Sequence, residues 1–114
     1  MTLAEIQSRL EQVDEIKGKV AQFEFKTEKK VPYCLFFRSG TSDIGADNAP
    51  SALREEDITI ELYTGKIDLQ LEEKIENQFK EFRLDKNQVY ISNTKEYMTT
   101  WVFTQYPRKS ITEV

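Results

Sequence analysis

Residues 57–82, DITIELYTGKIDLQLEEKIENQFKEF, join two different periodicities across a break, and this combination limits the fold more than any other part of the chain. Ile58, Ile60 and Leu62 alternate with Thr59, Glu61 and Tyr63, the period-two pattern of a strand with one apolar face. Thr64-Gly65-Lys66 ends that pattern. Leu71, Ile75, Phe79 and Phe82 then recur at steps of four, four and three, with Glu72, Glu73, Glu76, Lys80 and Glu81 between them. That spacing predicts a helix with one apolar stripe, its acids forming a solvated face. A strand and a helix that are each apolar on one side bury those sides together, so a helix lies on a sheet.

The flanking segments extend the pattern. Leu3, Ile6, Leu10, Val13 and Ile16 predict a first amphipathic helix over residues 3–17, with Thr2 as N-cap and Gly18 as its stop. Ala21, Phe23 and Phe25 alternate with polar residues and predict a strand paired by a hairpin to Val31–Arg38, a strand apolar on both faces. SGTSDIGADNAPSALRE, residues 39–55, has no periodicity and reads as a long loop, of the kind that usually carries function in a compact domain. Val89 and Ile91 mark a further strand, Asn93-Thr94-Lys95 a turn, and Glu96–Tyr106 a last strand stopped by Pro107. The expectation is one α+β domain over residues 1–114, ordered α-β-β-β-α-β-β. Two helices pack on one face of a mostly antiparallel sheet of four to five strands, with a long loop at 39–56.

Composition narrows the chemistry. The chain has no histidine and one cysteine, which removes the usual general base near neutral pH, the usual zinc ligands and the Ser/His/Asp or Cys/His arrangements of hydrolases. Cys34 lies in the apolar run YCLFF and reads as a small core residue. Asp43 and Asp47 lack the dense acidic pattern and closing Glu of a calcium loop, and Gly40 and Gly45 do not make a phosphate loop. Neither an enzyme activity nor a cofactor nor a metal is expected. A net charge of −4 argues against a domain built to grip nucleic acid. No window is apolar enough to span a membrane, and the N-terminus lacks a signal-peptide pattern, so a cytoplasmic start is expected.

The chain instead carries a surplus of apolar strand surface. In the last strand Tyr97, Trp101 and Phe103 point one way while Met98, Val102 and Tyr106 point the other. If two helices cover one face, the second face is either an interaction surface, with Trp101 and Tyr97 as candidates, or is closed by the long loop folding back.

Taken in order, the words IGADN (44–48), ITIELYTGKID (58–68), LEEKIENQF and VYISNTKEYMTTWVF resemble a family of small proteins of long-tailed phages and prophages of Gram-positive bacteria, the tail terminator (tail completion, head-tail joining) proteins. The resemblance implies an α+β structural protein acting as a ring, typically a hexamer. The ring caps the major tail-tube protein and meets the head connector or stopper protein, while DNA passes through its lumen without specific binding. It places the protein in the host cytoplasm during assembly and then in the virion. Asp43, Ile44, Gly45, Ala46, Asp47 and Asn48, with Tyr97 and Trp101, are the expected interface residues. A neck or head-completion protein of the same region, or a non-phage protein-binding module that adds a partner strand to a sheet edge, are the alternatives.

Overall fold

The computed structural model describes residues 1–44 and 53–106, the side chains of residues 42–44 and 53 excepted. It is an α+β domain. The elements are α1 (Leu3–Glu11), a 3-10 turn (Asp14–Ile16), β1 (Val20–Gln22), β2 (Tyr33–Ile44), β3 (Leu53–Thr64), α2 (Leu69–Gln78), β4 (Asp85–Ile91) and β5 (Glu96–Gln105). The five strands form one sheet in the order β1-β2-β3-β5-β4, antiparallel except for the β1–β2 pair.

Thr2 caps α1 as its sequence position predicts. Its hydroxyl accepts the Glu5 N–H at 3.1 Å, and the Glu5 carboxylate accepts the Thr2 N–H at 3.2 Å, so two otherwise orphaned donors are satisfied reciprocally. Thr2→Ala is expected to cost about 1 kcal/mol, read as a melting temperature lower by about 4 °C. An unchanged melting curve would contradict the cap. The helix itself is shorter than its periodicity suggests. Val13 is extended, and a 3-10 turn carries the chain to Ile16, yet Val13 and Ile16 are both buried. A spacing of three keeps two residues on one side in either helix type, so the apolar stripe survives the change of geometry. Gly18 then takes φ +78°, a conformation that glycine enters freely.

Ile58, Ile60 and Leu62 of β3 are fully buried under the helices together with Cys34 and Phe36 of β2, Trp101 and Phe103 of β5, and Ile6, Leu10, Leu71, Ile75 and Phe79 from the helical layer. Phe79 and Phe82 both stack on Phe103, with centroids at 5.5 and 4.4 Å. Arg9 ties α1 to the end of α2. Its guanidinium donates to the Gln78 carbonyl and the Glu81 carboxylate, both at 2.8 Å, and lies 5.7 Å from the Phe79 ring centre.

Two expectations are corrected. The first two strands do not form a hairpin: β1 holds only Val20–Gln22 and runs parallel to β2. Val20, rather than Ala21, faces the core, which shifts the alternation by one residue and turns every other side chain over. Phe23 at φ +67° and a tight Glu24 N–H to Gln22 carbonyl bond then lead the chain out of the ladder.

The segment expected as a loop at 39–56 is in large part strand. β2 and β3 stay paired through Thr41–Glu56, Ser42–Glu55, Asp43–Arg54 and Ile44–Leu53, with one register shift between Arg38 and Gly40. β1 stops opposite Phe36 and β5 stops opposite Glu56, so among the described residues β2 and β3 continue beyond those positions as a two-stranded ribbon. The described chain is elongated accordingly, 50 × 26 × 23 Å. Residues 45–52 and Pro107, the expected stop of β5, lie outside the described residues.

Candidate protein interface

Strand alternation sorts the side chains of the sheet onto two faces, and α1 and α2 cover only one of them. Cross-strand register defines the rows of the other. Tyr33, Tyr63, Met98 and Val89 form one row, Leu35, Glu61, Thr100 and Asn87 the next, and Phe37, Thr59, Val102 and Asp85 the third. Neighbours along such rows approach closely enough for side chains to touch, which makes each row a stabilising unit. Tyr33 and Tyr63 stack with centroids 4.8 Å apart, and Phe23 stacks on Phe37 at 5.6 Å. Phe25 meets Tyr33 edge to face at 5.7 Å. The loop after β1 therefore adds two aromatic rings to this face, while no described helix packs on it.

The face is half-buried by its own packing. Tyr33, Leu35, Phe37, Tyr63, Met98 and Val102 all keep partial exposure, and Phe23 and Val89 are 59% and 40% exposed. Apolar groups in adjoining rows make a contiguous patch rather than scattered surface residues. Its charged strand residues are acidic. Glu61 accepts a hydrogen bond from the Tyr63 hydroxyl at 3.1 Å, and Asp57 accepts one from the Thr104 hydroxyl at 2.7 Å. Burial, then the negative charge of Glu61, raises the Tyr63 phenol far above its ordinary pKa. Tyr33 shifts the same way through burial and the nearby carboxylates of Glu96, Glu28 and Glu61.

No model of a known protein family matches the sequence, and no curated protein matches it. The reading of this surface therefore rests on geometry.

The expected interface residues fall in three places. Trp101 is a correction: it is 1% exposed, on the face that α2 covers, and its indole N–H donates to Glu76 at 3.1 Å. Tyr97 lies on the same side of β5, half-buried against Tyr90 at 5.0 Å, so neither belongs to the uncovered face. The residues facing outward are those that alternate with them, Met98, Thr100 and Val102. Asp43 and Ile44 end β2, opposite Arg54 and Leu53. Gly45, Ala46, Asp47 and Asn48 lie outside the described residues.

The solvated acidic face expected of α2 is also corrected, because Glu72 is 2% exposed. It accepts from Lys86 at 2.7 Å and Gln88 at 3.0 Å, and Lys86 reaches Glu76 at 2.8 Å. Gln88 in turn donates to the Thr99 hydroxyl at 2.7 Å. This network fastens the edge strand β4 to α2 and has no open position at its centre. The only cysteine is inert for a related reason: full burial pushes the Cys34 thiol far up, which keeps it protonated. Among the described residues no three acidic or thiol groups gather as a metal site, and no helix is long and apolar enough to cross a membrane.

Proposed function

We propose that this chain is a structural protein of the phage head-tail junction, a tail terminator that assembles as a ring, ends polymerisation of the tail tube and presents a surface to the head connector. The observation that carries the reading is a partly apolar sheet face that, among the described residues, only the loop after β1 touches, and that runs on into the β2–β3 ribbon. A ring needs two different patches on each subunit, one meeting the other on its neighbour. The face and the ribbon supply two such surfaces on one rigid sheet. The resemblance of the ordered words around IELYT to tail terminators supports the same reading, and so does the α+β arrangement which that resemblance implies. On this reading the protein needs no catalytic group or cofactor. DNA passes through the lumen without specific contacts, and the protein moves from host cytoplasm to virion.

Electron microscopy of the purified protein mixed with tail-tube protein tests it. Tubes capped by rings at one end, with growth stopped, are expected, whereas tubes that keep lengthening would contradict the role. A second reading, a module that binds a partner by strand addition, is favoured by the position of β4 at the end of the strand order. Deuterium exchange separates the two, since strand addition would newly protect the amides of residues 85–91 while ring contacts through the open face would not.

A further inference from the structure

We infer that the uncovered sheet face docks a protein segment in which Lys or Arg alternates with apolar side chains. This rests on the proposed reading of that face as a docking surface, and it names the chemistry of the occupant.

Charge complementarity on an apolar ground identifies the occupant. Over the body of the sheet, the charged residues at uncovered strand positions are Asp57, Glu61, Asp85 and Glu96, and no Lys or Arg occupies such a strand position, Lys29 of the loop after β1 being the cation at the edge of the face. Arg38 and Lys86 lie at the strand positions that alternate with them, where each meets a carboxylate on the covered side. Glu61 and Glu96 have no cationic partner among the described residues. Glu61 sits between the two apolar rows, next to Leu35, so an occupant burying those rows also covers that carboxylate. A buried anion without a counter-charge is costly, and an apolar partner would leave Glu61 in that state. A partner bringing a cation removes the cost.

A second feature marks where such a cation goes. At the Tyr33 end of the face lies a cleft of about 280 Å3 lined by Phe25, Tyr33, Leu35, Glu28 and Glu96. Lys29 lines it too, with its ammonium 5.8 Å from the Phe25 ring centre, so the cleft already holds a cation against an aromatic ring. Aromatic faces and carboxylates together are the usual surroundings of a bound guanidinium or ammonium group. Two of the carboxylates that line the cleft, Glu96 and Glu28, add to burial in raising the Tyr33 phenol.

The probe is a short peptide alternating Arg with Leu and Phe, titrated into the intact protein and followed by amide NMR, beside a control with Glu in place of Arg. Shifts concentrated at Tyr33, Glu61, Tyr63 and Glu96, absent with the control and weakening as salt rises, are expected. Glu61→Gln and Glu96→Gln keep shape and fold, and each is expected to weaken binding about fivefold at low salt. Equal binding of both peptides, binding of neither, or shifts centred on the acids of α2 would overturn the inference. Self-association through this face that both Gln variants leave unchanged would overturn it as well. Capping of tubes by a protein that ignores the Arg peptide refutes the cationic occupant alone. Peptide binding by a protein that does not cap tubes supports it and refutes the head-tail role instead.

Discussion

Trp101→Ala is expected to destabilise the domain by about 4 kcal/mol, the largest effect of any single substitution proposed for this chain. Trp101 lies at the middle of β5, opposite Ile60 on one side and Lys86 on the other, and only 1% of it reaches solvent. Truncation would remove the ring from beneath α2 and leave a cavity bounded by two strands and a helix, which cannot close together. Glu76 would also lose the indole donor, although Lys86 still satisfies it. Against a total stability of about 5–15 kcal/mol for a typical domain, such a loss leaves the protein near its unfolding threshold. Trp101→Phe keeps most of the buried area and is expected to cost only about 1–2 kcal/mol. Urea unfolding followed by circular dichroism measures both. A loss below about 1 kcal/mol for the alanine variant would place Trp101 at a surface. As the only tryptophan, Trp101 also reports directly, through a blue-shifted emission that moves red on unfolding.

The second large effect is an asymmetry. Lys86→Met is expected to cost about 2–3 kcal/mol, while Glu72→Leu costs less than about 1 kcal/mol. Glu72 is the buried partner, and without Lys86 it keeps only the Gln88 amide, leaving a carboxylate in the interior without a counter-charge. Lys86 is the accessible partner. Without Glu72 it still pairs with Glu76 and meets water, because its side chain is 39% exposed. Comparable losses in the two variants would contradict this picture. The pair also sets a pH dependence. Burial works against the charge on Lys86, but Glu72 and Glu76 outweigh it and hold its pKa above the ordinary lysine value. A group whose pKa rises on folding stabilises fully below its unfolded pKa, about 10.4 for lysine, and that contribution is lost as pH rises through the folded value. Tyr33, Tyr63 and Lys74, whose pKa values also rise on folding, make both proteins less stable at high pH, so wild-type stability is expected to fall more steeply above about pH 10.5 than that of Lys86→Met.

Much of the architecture is legible in residue spacing. The alternation of Ile58, Ile60 and Leu62 and the stripe of Leu71, Ile75 and Phe79 locate β3 and α2 and identify their buried sides. Thr2 and Gly18 mark real boundaries because capping and positive φ depend on local chemistry alone. The ribbon was hidden for a physical reason: alternation arises where one face is covered, and past Phe36 and Glu56 the two strands leave the helices and neighbouring strands behind. Backbone pairing holds them there, and it writes no apolar pattern. Glu72 was hidden differently. It occupies a polar slot on its own helix, and only the arrival of Lys86 and Gln88 from a strand distant in sequence makes that slot interior. For Trp101 and Tyr97 the open point was which face of β5 turns outward. Both faces carry large apolar residues, so period two identifies two sets without saying which is covered.

Local spacing is enough for the strand-turn-helix unit of residues 57–82, the helix cap at Thr2 and a sheet with apolar residues on both sides, since these follow from residues two to four positions apart. Long-range packing sets the rest: the helices cover the side of Trp101, β1 enters parallel, β2 and β3 run on as a ribbon, and Glu72 is interior. Each of those depends on contacts between segments far apart in the chain, where the competing arrangements bury similar apolar area and only the packed whole selects one.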